Sequence, residues 1–284
     1  MSAANSPERR RFAALRRIAR PFKPGLIKLG CGLTERWISA GRSYDILVLF
    51  GMRRSGNHLA INWILGQVPG SAVFYNNIRQ KGHPFDVGSR EFRVRFPNTR
   101  PRIILSYEDL TASEIKEGPL PEFLADRAAR HDVRILSGVI LRDPYNLFAS
   151  RLKKWPERFA TDTDIRRQQE LYNSHAALAE KPEPVFGEEP VVPILYNPLV
   201  ADPAYREKLS RKLYIRSGSD GLDEVPLYGH GSSFDGYQTQ VADVRAGVFD
   251  RWRSSSNDPT FRTVVADKHV QKTALTLFDM GSPD

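Results

Sequence analysis

A chain of 284 residues with 40% hydrophobic content has apolar material for one large domain or two small ones, and its single cysteine, Cys31, excludes an intramolecular disulfide and a cysteine-rich zinc site. No apolar run reaches the ~18 to 20 residues of a spanning helix, and the early arginines lead into Ala14-Leu15-Arg16-Arg17 rather than the apolar stretch of a cleavable signal, so a cytoplasmic protein is expected. The net charge of +9 resembles a nucleic-acid signature until it is located: residues 1–43 hold ten Lys/Arg against two Glu, the rest is close to neutral, and no nucleic-acid partner is expected.

The chain thus divides into a basic arm, residues 1–43, and a domain, residues 44–284. In the arm, Phe12, Leu15 and Ile18 recur at helical spacing among arginines. Residues 9–23 therefore suit peripheral contact with an anionic membrane surface or a polyanion, while a solvated tail is the plainer reading. Pro21 and Pro24 end that segment. Leu26, Leu29, Leu33 and Trp37 then suggest a second short helix packed on the domain.

From Tyr44 to Leu65 an apolar, β-branched run (Ile46 to Phe50) stops at a loop containing Gly51 and Gly56, and a helix-compatible run (Leu59 to Leu65) follows. The pattern predicts strand, tight loop, helix. Glycine allows close backbone approach and a helix N-terminus presents unpaired N–H groups, so this junction can hold an anion. Arg53, Arg54, Ser55, Asn57 and His58 make a phosphate or sulfate ester the expected ligand. The loop is not a Walker A sequence, because Asn57 and His58 follow Gly56 where Lys and Ser/Thr would bind phosphate and Mg²⁺. An ATP or GTP hydrolase is therefore disfavoured, and no metal is expected.

Residues 66–100 lack a sustained period and read as loop with short elements, with His83 solvent-facing. A second buried strand, Arg102 to Tyr107, is followed by Glu108 and Asp109, which would stand beyond the carboxyl end of a parallel sheet where ligands bind. A helix is expected over 122–130, then a third strand, Val133 to Leu141, ending in Arg142-Asp143-Pro144. Asp143 can cap and Pro144 can occupy the first helical turn. Ser150 lies about two turns further on, at ~3.6 residues per turn, where it can face the strand end with Arg142. The remaining expectations are a helix over 163–180, a strand over 191–197, a helix from Asp202-Pro203 to about residue 213, a Gly/Ser-rich loop over 217–236, a helix to Trp252-Arg253, and a last helix over 258–278.

Arg54-Ser55-Gly56-Asn57-His58 resembles the 5′-phosphosulfate loop of sulfotransferases that use 3′-phosphoadenosine 5′-phosphosulfate (PAPS), a basic residue followed by Ser-Gly-Thr-Thr. Arg142-Asp143-Pro144 with Ser150 eight residues after the arginine is similar to the same family's 3′-phosphate motif. The resemblance covers about residues 44–280. It implies a three-layer α/β fold with a central, mainly parallel, P-loop nucleotide-kinase-like sheet, and PAPS as donor. The implied cofactor-binding residues are Arg53, Arg54, Ser55, Gly56, Asn57, His58, Arg142 and Ser150, with Tyr196 near the adenosine. Ser232 and Ser233 stand where the family often has a basic Arg-Lys-Gly loop. Ser106-Tyr107 falls where cytosolic members carry Thr-His, so Glu108, then Asp109, are the candidate bases, with Arg54 stabilising charge on the leaving group. The acceptor, a small molecule, glycan or lipid, is left open. The alternatives are a nucleotide or small-molecule kinase and a noncatalytic polyanion or membrane binder acting through the arm.

Overall fold

The apolar run at Tyr44 forms the centre of a sheet covered on both faces. In the computed structural model, which describes residues 29, 33, 36–41, 43–85, 89–95, 99–218, 222 and 249–281, it becomes β1 (Ser43–Gly51). Its partners are β2 (Ala72–Tyr75), β3 (Ser89–Arg93), β4 (Arg102–Glu108), β5 (Asp132–Leu141) and β6 (Val192–Leu195), in the spatial order β3-β2-β4-β1-β5-β6. All neighbours are parallel except β2 and β3.

Side chains alternate across a strand, so β1 feeds two separate cores. Ile46, Val48 and Phe50 join Ile103, Leu105 and Val139 on one face, against α3 (Leu120–Arg130), α4 (Pro144–Lys154), α5 (Asp162–Glu180), α8 (Pro259–Val265) and α9 (Lys268–Phe278). Leu47 and Leu49 join Ile104, Ile140 and Ile194 on the other, against α1 (Asn57–Gln67), α6 (Tyr196–Ala201) and α7 (Pro203–Lys212). A further helix, α2 (Ala112–Lys116), follows β4, and 3₁₀ turns occupy Pro156–Phe159 and Arg251–Ser255. This is the expected three-layer α/β arrangement with a mainly parallel central sheet.

The chain builds β2 and β4 on one side of β1 before crossing to β5 and β6 on the other. The crevice beyond the carboxyl end of β1 is therefore a topological switch point. At the opposite end, the buried Asp45 accepts from Arg100 at 2.6 Å, Arg102 at 2.6 Å and Arg134 at 2.8 Å, tying β1 to β4 and β5. Its burial acts to raise the carboxyl pKa, but the three guanidinium groups together hold it below the ordinary value.

Several sequence expectations change, among them the strand over 191–197, which stops at Leu195 because Tyr196 opens α6. Residues 66–100 contain two real strands, of which β3 closes an edge antiparallel to β2. The last helix is two helices: Asp267 accepts from the N–H groups of His269 and Val270 and so starts α9 afresh. Leu29, Leu33 and Trp37, expected to pack on the domain, are helical but 60%, 58% and 38% exposed, whereas Ile38 is buried.

Candidate anion site at the β1–α1 junction

β1 ends where it meets β5, and a side chain at Gly51 would place its Cβ 2.6 Å from the Ile140 carbonyl oxygen. The chain then turns through Arg54, at φ 77°, and Gly56, at φ 90°. Gly56 is the residue before α1 and supplies no side-chain cap, and the first turn of α1 carries no acidic residue. No acidic side chain of the helix's own first turn therefore offsets the positive end of this 11-residue helix.

The two sequence motifs meet here. Arg54 Nε donates to Ser150 Oγ at 3.0 Å, although 96 residues separate them. Arg142, at the end of β5, donates from Nη1 to the Arg54 carbonyl at 3.5 Å and lies 5.0 Å over the Tyr196 ring. That ring in turn lies on Gly56, since a Cβ there would fall 2.0 Å from Tyr196 Cδ2. Arg54, Gly56, Arg142, Ser150 and Tyr196 thus form one cluster drawn from β1, α4, β5 and α6.

Arg251 belongs with them and was not singled out in the sequence. Burial, then the like charges of Arg142 and Arg251, push the Arg54 guanidinium pKa down. Arg251 is held there through its neighbours: Trp252 N donates to Asn146 Oδ1 at 3.2 Å, Asn146 Nδ2 donates to the Phe249 carbonyl at 2.7 Å, and the Trp252 and Tyr145 rings lie 5.5 Å apart. Asn146 itself sits on the first turn of α4, where Asp143 Oδ1 caps the helix by accepting from Asn146 N at 2.8 Å. The signal available in the sequence was the charge of Arg251 beside an aromatic residue, which is too common to assign without the fold.

The other four loop residues play different parts. Ser55 is buried, with its hydroxyl 2.7 Å from both Met52 O and Asn57 Oδ1 and its one proton available to either acceptor. Asn57 Nδ2 donates to Glu108 Oε1 at 3.0 Å, so this side chain faces the carboxylate. His58, partly buried, is in the first turn of α1. Arg53 points the opposite way from Arg54: its Nη2 donates to Asn77 Oδ1 at 2.7 Å and its Nε is 3.4 Å from Glu108 Oε2.

The two candidate bases, adjacent in sequence, are placed unlike one another. Glu108 is the last residue of β4 and holds only the Asn57 amide and the Arg53 guanidinium among the contacts described. Asp109, at φ 58°, accepts from Arg53 N at 2.9 Å, Arg151 Nη1 at 2.7 Å and Arg158 Nη1 at 2.7 Å. Burial raises its pKa, but Arg151 and the other donors outweigh that and lower it overall. Arg151 Nη1 also donates to the Arg53 carbonyl at 2.9 Å, so the backbone of Arg53 is gripped at its N–H by Asp109 and at its C=O by Arg151. Asp109 is a clamp for the loop, whereas Glu108 makes fewer contacts.

His83 is exposed on its loop, with Nδ1 accepting from Phe85 N at 3.2 Å. Ser232, Ser233 and the basic segment 9–23 lie outside the described residues. Among the described residues no three His, Cys, Asp or Glu side chains group as metal ligands, and no helix is long and apolar enough to cross a membrane. In comparisons with known proteins, no family model matches this chain, and neither a curated protein nor a solved structure matches it.

Proposed function

We propose that this chain is a PAPS-dependent sulfotransferase that moves a sulfuryl group to a hydroxyl or amine of an acceptor. The observation that carries the reading is the convergence of Arg54, Arg142, Arg251 and Ser150 on a helix N-terminus, with a differently placed carboxylate, Glu108, linked to the same loop through Asn57. The like charges of Arg142 and Arg251 act on Arg54, and a doubly charged adenosine phosphate would offset that repulsion.

The donor set fits such a ligand at both ends. The N–H groups opening α1, with Arg54, suit the 5′ side, while Arg142, Ser150 and Arg251 suit a 3′-phosphate, and the Tyr196 ring offers an aromatic surface beside them. Bound there, PAPS supplies the activated sulfuryl group. Glu108 accepts the acceptor's proton at its carboxylate, oriented by Asn57 Nδ2 and screened by Arg53. Arg54 and the N–H groups of the loop hold negative charge as it gathers on the 5′-phosphate. The clamp of Asp109 and Arg151 fixes the loop backbone before any ligand arrives, so binding spends little on ordering it.

The deciding experiment is transfer of radiolabelled sulfate from PAPS across sugar, lipid, peptide and small-alcohol acceptors, with Glu108→Gln alongside. Transfer by the wild type that is lost in Glu108→Gln, with adenosine 3′,5′-bisphosphate still bound, supports the reading. Magnesium-dependent turnover of ATP without transfer from PAPS assigns the chain to the kinases instead.

A further inference from the structure

We infer that the cavity between the 3₁₀ turn Arg251–Ser255 and the helices α8 and α9 is a second ligand site, suited to a small organic anion with a flat apolar body. The cavity measures about 570 Å³, within the ~300 to 1,000 Å³ of small-molecule sites. Two of the residues lining it, Phe261 and Val265, belong to the core and are 1% and 2% exposed. Trp252 lines it too, with its ring 5.5 Å from that of Tyr145 on α4. A cleft that reaches core side chains can take a ligand's apolar surface out of water, which a shallow dent in a polar surface does not.

The polar part of the lining sets the ligand's charge. Arg253 and Arg262 line the cavity, and no Asp or Glu is among the described residues that do so. Arg262 is held by neutral acceptors, its Nε donating to the Ser256 carbonyl at 2.7 Å and its Nη2 to Asn257 Oδ1 at 3.1 Å, and it meets no carboxylate among the described residues. Its charge is therefore positioned but not neutralised. Arg253 does pair, Nε to Asp250 Oδ1 at 3.0 Å, but both side chains are largely exposed and such a pair is weak. Its guanidinium also lies 5.1 Å over the Trp252 ring, which keeps it at the aromatic wall. Gln271, whose side chain makes no hydrogen bond among the described residues, adds an amide to the lining. Two guanidinium groups beside aromatic and aliphatic walls fit a carboxylate, sulfonate or sulfate carried on an aryl body. The site is separate from the β1–α1 junction, because no residue lining it is among the described contacts of Arg54, Asn57 or Glu108.

The test is titration calorimetry of the full chain with naphthalenesulfonate and with naphthalenemethanol, its uncharged counterpart. The wild type is expected to bind a single sulfonate per chain and the neutral compound at least about tenfold more weakly. Arg253→Gln/Arg262→Gln should lower affinity for the sulfonate by about tenfold or more, and Ala266→Trp, which fills the cavity from its lining, should block it. All three positions are exposed, so the thermal melts should not change. Arg142→Met should bind the sulfonate as the wild type does. The inference is overturned by any of four results: no saturable binding to the wild type, equal binding of the neutral compound, a double arginine variant that binds the sulfonate as the wild type does, or loss of the sulfonate in Arg142→Met, which would put the probe at the β1–α1 junction. Should Ala266→Trp fail to fold, these four results still decide. None of these readouts depends on sulfuryl transfer, so either conclusion can fail alone.

Discussion

Replacing Arg142 by methionine keeps most of the side chain's length and removes its charge. In the chain itself Arg142 lies over the Tyr196 ring, and its contacts include 3.5 Å to the Arg54 carbonyl and 3.8 Å to Asp143, while its charge acts against that of Arg54. Losing it relieves Arg54 and withdraws one favourable charge from Asp143, whose carboxyl is held above its ordinary pKa by burial. These effects oppose each other, so the melting temperature should move by no more than about 4 °C, equivalent to about 1 kcal/mol in a chain of this size. A charge-assisted hydrogen bond to phosphate is worth about 1.5 to 3 kcal/mol, and affinity for adenosine 3′,5′-bisphosphate should fall about 10- to 100-fold. Titration calorimetry with that ligand and with adenosine 5′-phosphate separates the two phosphates, because the second ligand should lose less than about threefold. Equal losses for both ligands, or a collapse of the unliganded protein, would refute the placement of Arg142 at a 3′-phosphate.

Neighbouring carboxylates should respond in opposite ways. Asp109→Asn leaves buried Arg151 short of its partner and should cost about 3 to 5 kcal/mol in urea unfolding, whereas Glu108→Gln should abolish transfer with little change in stability. Gly56→Ala puts a Cβ into the Tyr196 ring at positive φ and should cost about 2 to 4 kcal/mol; a cost below about 1 kcal/mol would mean the ring moves aside freely. His175 is fully buried, and burial lowers its pKa to about 4 from an unfolded value of 6.5. The unfolded chain therefore takes up a proton that the native one refuses, and stability should fall by about 3 kcal/mol as pH drops from 7 to 4. Asp109, whose native pKa is also lowered, adds loss in the same direction as pH falls through it. A His175→Gln variant whose melting curve keeps the wild-type slope between those pH values would count against this account.

What could be read in the sequence was what local pattern controls. The continuous apolar runs at 46–50, 102–107 and 133–141 became β1, β4 and β5 because strands buried on both faces need no polar alternation. Arg54 and Arg142 were legible because glycine and proline mark the turns beside them. The clamp was not legible, since nothing local distinguishes Arg151 from the other basic residues of α4, and its role comes from Asp109, 42 residues away. Asn57 was read as a phosphate donor from its place in the loop, yet its amide turns to Glu108, a choice made by β1 and β4 lying side by side. β3 escaped notice because an edge strand shows only one protected face and its sequence, Ser89–Arg93, is mostly polar. Leu29, Leu33 and Trp37 were recognised as helical in spacing, but periodicity does not say whether apolar side chains turn inward or outward.

The ion cluster at Asp45 reaches further than its location suggests. One carboxylate shared by arginines of the two strands flanking β1 works as an alignment pin, since any slip of either strand would strand a guanidinium away from its counter-charge. The carboxyl ends of those same strands deliver Glu108 about 20 Å away and Arg142 about 26 Å away at ~3.3 Å per residue. Substituting Asp45 should therefore blur the spacing between acid and guanidinium without touching either, so that variation at the floor of the sheet governs the placement of side chains at its rim.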